Sequence, residues 1–125
     1  MNFEEALRYE LIQIGGMANK VFPLFSKEGV IPPYIVYISS EGVFTRTFSG
    51  YHVDKEIDCE LHVVASTYQS MKTLLKQVIN CIQSFQGRII GDNLFCYEVK
   101  FEMPEEFYEE ELNLYHSVFE ITVRI

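Results

Sequence analysis

A chain of 125 residues is the size of one domain, and with 48% hydrophobic and 14% aromatic residues it can fill a core, which excludes a disordered tail. Ten Lys and Arg against eighteen Asp and Glu give a formal net charge of −8, and the scattered cations argue against tight nucleic-acid binding. Cys59, Cys81 and Cys96 are an odd number without framework spacing, which predicts a reduced, cytosolic fold with no required disulfide.

The first ten residues, MNFEEALRYE, hold two early Glu and no basic-then-apolar order, so no signal peptide is read there. Apolar runs fall far short of the ~20 residues that a membrane helix needs. Asn2 followed by Glu5 spells a capping box, and Phe3, Ala6, Leu7, Leu11 and Ile14 recur at helical spacing. This predicts a helix over 3–14, stopped by Gly15 and Gly16. Lys20-Val21-Phe22 reads as a short extended piece broken by Pro23. Pro32-Pro33 enforces extended geometry before Tyr34 to Ile38, a run of high strand propensity.

Residues 39–55 carry Val43 to Ser49 between Gly42 and Gly50, with loose alternation. They read as a hairpin arm, or as a loop that orders on contact. Residues 56–65 alternate more regularly: Ile57, Cys59, Leu61, Val63 and Ala65 share one face, and Glu56, Asp58, Glu60 and His62 the other. Ser66 or Thr67 then caps a second helix, whose apolar stripe is Met71, Leu74, Leu75, Val78, Ile79, Ile82 and Phe85 and whose end is Gly87. Strands follow near 94–101 and 114–124. Between them the segment from Glu102 to Glu111 has six Glu in ten residues and reads as an acidic loop. The order helix, strands, helix, strands predicts a single α+β domain over 1–125: a mostly antiparallel sheet packed by two helices.

Motifs for catalysis are absent. No G-x-S-x-G, S-x-x-K or phosphate-binding loop occurs. Cys59 and His62 are spaced C-x-x-H, but on a strand residues three apart face opposite ways, which disfavours a shared zinc. Asp58, Glu60 and His62 do share a face. They would suit a hard metal or acid–base chemistry, or simply form a solvated or interface-facing strand side. The Glu-rich segment lacks the turn glycine of a calcium loop. It reads as a solvated loop, or as an acidic collar of Glu105, Glu106, Glu109, Glu110 and Glu111. Phe44, Arg46, Phe48 and Tyr51 are of the types that dominate interfaces, or are aromatics that cover the sheet.

Lys20-Val21-Phe22-Pro23-Leu24 followed by Val30-Ile31-Pro32-Pro33-Tyr34-Ile35-Val36-Tyr37 resembles a signature of phage tail-terminator, or tail-completion, proteins. Ala65-Ser66-Thr67-Tyr68 before an amphipathic helix is similar to that family's entry into its second helix, and Phe119-Glu120-Ile121-Thr122-Val123 to its last strand. The pieces run over most of the chain in order; residues 39–55 and 102–111 follow no pattern of the family. The resemblance implies a sheet packed by two helices and a non-enzymatic virion protein with no cofactor, made in the host cytoplasm. It implies a ring, expected to be a hexamer, that caps the tail tube, ends tube growth and meets the head connector at the tail–head junction. The implied partners are further copies of the chain, the major tail tube protein and a connector or stopper protein. DNA would pass the lumen without specific binding, and no membrane is involved. The alternatives are another neck component, such as a head-completion protein or connector, and a small ligand-binding or metal-dependent enzyme domain.

Overall fold

The computed structural model describes residues 2–24, 29–47 and 50–125; for 43–47 and 50–54 the description covers the backbone alone. Among the described residues the chain forms two helices and nine strands. These are α1 (Phe3–Leu11), β1 (Val21–Pro23), β2 (Tyr34–Ser39), β3 (Val43–Thr47), β4 (Gly50–Ala65), α2 (Tyr68–Gln83), β5 (Arg88–Ile90), β6 (Leu94–Cys96), β7 (Glu98–Phe101), β8 (Glu105–Glu109) and β9 (Leu114–Arg124). The expected α+β class, with a mostly antiparallel sheet and two helices, is the fold observed.

The cap of α1 is reciprocal: Asn2 accepts from the Glu5 amide at 2.8 Å, and the Glu5 carboxylate faces the Asn2 amide. The helix ends at Leu11, one turn before the expected Ile14. Gln13 and Ile14 donate to the carbonyls of Glu10 and Leu11, three residues back, so the chain tightens as it enters the glycine pair. Thr67 caps α2 by accepting from the Ser70 amide at 3.1 Å. At the other end Arg88 folds back, donating to the Ser84 carbonyl at 2.8 Å and pairing with Glu10 of α1 at 2.6 Å. One guanidinium thus joins the exposed carbonyls of α2 to the end of α1.

The sheet runs β1-β2-β4-β9-β7, with β3 also on β4 and β8 also on β9. The long ladder between β4 and β9 is its centre, from Glu56–Arg124 to Ala65–Tyr115. All pairings are antiparallel except β1 with β2. Ile57, Cys59, Leu61, Val63 and Ala65 are buried on the helix side, opposite Phe119, Ile121 and Val123 of β9. Phe3, Leu7 and Leu11 of α1 and Met71, Leu74, Leu75, Val78 and Ile82 of α2 close the core. Among the described residues the other sheet face carries no helix, so they form two layers.

One further feature differs from the sequence-based expectation. The segment 102–111 is not a loop: Glu105 to Glu109 form β8, paired residue by residue with β9. Its alternation is hidden because both strand faces carry Glu. The hairpin arm expected over 39–55 is present among the described residues: β2 and β3 run consecutively along β4, from Tyr34–Val64 through Val43–Glu56 to Thr47–Gly50. Gly42 joins the two stretches at φ +82°. A Cβ there would lie 2.5 Å from Ile57 Cγ1, so only glycine lets the backbone cross this close to the core.

Candidate functional site

The open sheet face is built from alternate residues of five strands, because side chains on a strand point up and down in turn. Val36 and Ile38 of β2, His62 and Val64 of β4, and His116 of β9 line a shallow hollow of about 200 Å³ together with Leu24 and Tyr34. Further along the same face the surface becomes acidic. Glu60 and Glu120 sit directly opposite each other in the ladder, and Glu102 and Glu105 border the same depression with Met103 and Val118. Like charges facing across a ladder oppose pairing, so this placement does not serve stability.

Asp58, Glu60 and His62 share this face as expected, but they are spread along the strand and drawn to different partners. Asp58 accepts from the Thr122 hydroxyl at 2.8 Å, while His62 Nε2 lies 3.4 Å from Glu60 Oε2. Cys59 lies on the opposite, buried side from His62, as the C-x-x-H spacing on a strand requires. Among the described residues no cluster of three or more His, Cys, Asp or Glu has metal-binding geometry. Burial pushes the Cys59 thiol up to about 12, and the Cys81 and Cys96 thiols up to about 11.

One contact was not legible in the sequence. His62 Nδ1 lies 2.7 Å from His116 Nε2, and His116 Nδ1 lies 2.7 Å from Glu109 Oε1. Phe107 stacks on His116 with ring centres 4.6 Å apart. His62 and His116 are 54 residues apart and become neighbours only through the antiparallel register, His62 falling two pairs from the Val64–His116 pair on the same face.

The five acidic residues expected to form a collar are divided between two strand faces and a turn. Glu105 and Glu109 lie on the open face with Phe107. Glu106 lies on the helix face and pairs with Lys72 of α2, and Glu110 and Glu111 stand exposed in the turn to β9. Of the residues expected at an interface, Phe44, Arg46 and Tyr51 sit on the β3–β4 arm, with Phe44 opposite Lys55 and Arg46 opposite Tyr51. Their side chains, and Phe48 as a whole, lie outside the described residues. Past the last β9 pair, Glu56–Arg124, and the Lys55–Ile125 hydrogen bonds, β3 is the neighbour of β4 from Gly50 to Asp54 among the described residues.

A hollow of about 360 Å³ lies where the start of α1 meets the end of β2 and is lined by Phe3, Glu4, Ser39, Glu41, Lys55 and Leu94 among others. Its serines serve the backbone: Ser39 Oγ donates to the Ser40 carbonyl, and Ser40 Oγ accepts from the Asp58 amide. Among the described residues no imidazole lines it.

No family model matches the chain, and no curated protein matches it in sequence. Among solved structures, the fold is similar to a chain described as part of the virion of a native gene transfer agent particle. The TM-score is 0.65 at 11% identity, with 96% of this chain and 92% of that chain covered. At this identity the likeness establishes a shared fold over nearly the whole of both chains.

Proposed function

We propose that the chain is a structural virion protein that forms a ring at the end of a phage tail tube, ends tube growth and joins the tail to the head connector. The observation that carries this reading is the end-to-end likeness of fold to a virion chain. It coincides with tail-terminator-like sequence pieces that fall on β1 and β2, on the entry to α2 and on β9.

The geometry supports an assembling rather than a bond-making role. The β3–β4 arm, whose backbone carries Phe44, Arg46 and Tyr51, offers strand edges and contact-type residues to a neighbouring copy. Among the described residues the outer strands of the sheet are β1 on one side and β7 and β8 on the other, edges suited to contact between copies in a head-to-tail ring. We expect six copies, with the tail tube protein and a connector or stopper protein as neighbours. The acidic face around Glu60, Glu102, Glu105 and Glu120 is suited to a passage that DNA crosses without sticking. Deleting the gene from the phage or prophage that carries it tests the reading by electron microscopy. Tails of abnormal length, or heads without tails, are the expected result. Normal infectious particles would contradict it.

A further inference from the structure

An outer strand turns the N–H and C=O groups of alternate residues away from its sheet, and the register shows which residues these are. Leu24 donates to the Tyr37 carbonyl and Ile35 to the Lys20 carbonyl, so on β1 Val21 and Pro23 face outward. Pro23 has no N–H to offer a further strand. On β7 the Glu102 amide donates to the Glu120 carbonyl, which turns Val99 outward. The Val99 amide is taken by the Gln86 side chain at 3.3 Å. Both edges are thus blunted. On β8 the same alternation puts Val118, His116 and Leu114 of β9 opposite Glu105, Phe107 and Glu109 as bonded pairs. The backbones of Glu106 and Tyr108 therefore face outward, and among the described residues neither amide meets an acceptor. At the far side of the sheet, β3 pairs with β4 and with no other strand among the described residues.

We propose that β3 of one copy pairs with β8 of the next, so that the path β3-β4-β9-β8 continues from copy to copy as one sheet. The inference rests on the ring proposed above and names the two strands that join its subunits. The strands match in length, at five residues each. They match in direction: the four strands of the path alternate, so a copy set alongside in the same orientation meets its neighbour antiparallel. They match in charge. β8 holds Glu105, Glu106 and Glu109 and no basic residue, whereas β3 holds Arg46 and no acidic one. Two β8 edges would set like charges across a ladder, and β3 against β8 sets unlike charges. The junction therefore joins two different edges, the head-to-tail kind that closes into a ring. β3 lies beyond the Glu56–Arg124 end of the central ladder and β8 beside its Ala65–Tyr115 end. Each junction thus steps along the strand direction, and the closed ring holds its strands oblique to its axis, as a barrel does.

The test is made on particles that carry the full-length chain. Tyr108→Pro removes one outward amide of β8 and sets a ring methylene in its place, while the bonds of β8 to β9 remain. The free variant should keep the parent's circular-dichroism spectrum. Its rings at tube ends, counted by electron microscopy, should fall about tenfold, the size of one lost ladder bond. Independently, Thr45→Cys and Tyr108→Cys together should let a short bifunctional thiol reagent link rings into covalent multimers larger than dimers. The parent chain and either single variant should stay monomeric under the same reagent. Parent rings accompanied by undiminished Tyr108→Pro rings would overturn the proposal and leave the proposed function standing. So would doubly substituted rings that yield only monomer, or dimers from a single variant. Parent particles without any ring would overturn both.

Discussion

Burial sets the chemistry of the thiols. Cys59 is 1% exposed and pushed up to about 12, which leaves almost no thiolate at neutral pH. It should resist alkylation in the folded chain and react promptly once the chain is unfolded in denaturant; fast native-state labelling would contradict the burial. The same shift predicts a pH dependence. The folded thiol holds its proton above the ordinary thiol value of 9.0, so this contribution to stability is complete below about pH 9 and is lost progressively towards pH 12. Denaturant titrations across that window should show the midpoint falling; a rising midpoint would contradict the assignment. Alternation alone placed Cys59 inside and His62 outside, because strand periodicity is a local property. The His62–His116 bond was illegible for the opposite reason. It depends on which residue of β9 lies beside which residue of β4, and nothing local encodes that register.

At the scale of elements, the caps and stripes of both helices were readable in the sequence. Asn2, Glu5 and Thr67 act through neighbours three residues away, and the apolar positions follow helical spacing. What could not be read were elements whose pattern is blurred. β8 carries Glu on both faces, one set held by Lys72 and one by His116, partners that tertiary structure supplies. β5 is three residues, too short for any periodicity to register, and the strand expected near 94–101 is divided into β6 and β7. The hairpin arm was recognised from its bracketing glycines, yet the reason for Gly42 lies in Ile57, fifteen residues on. Gly42→Ala should be destabilising by about 1–3 kcal/mol, since it combines a left-handed backbone with a Cβ driven into a buried side chain. Equilibrium unfolding measures the loss. An unchanged midpoint would show that β2 and β3 do not cross the core edge as described.

At the scale of the whole molecule, the asymmetry of the sheet decides the account. One face is sealed by α1 and α2. The other divides into an apolar hollow with a histidine floor and an acidic half, and an arm extends along β4 beyond the last β9 pair. A domain of this size that devotes its second face, both sheet edges and an arm to surface is suited to meeting other subunits. The most direct test of that claim is cryo-electron microscopy of virions that carry the chain. The account predicts a closed ring of its copies seated on the last layer of the tail tube, with each β3–β4 arm against a neighbouring subunit. Density for the chain away from the tube end, or isolated single copies in the particle, would contradict it.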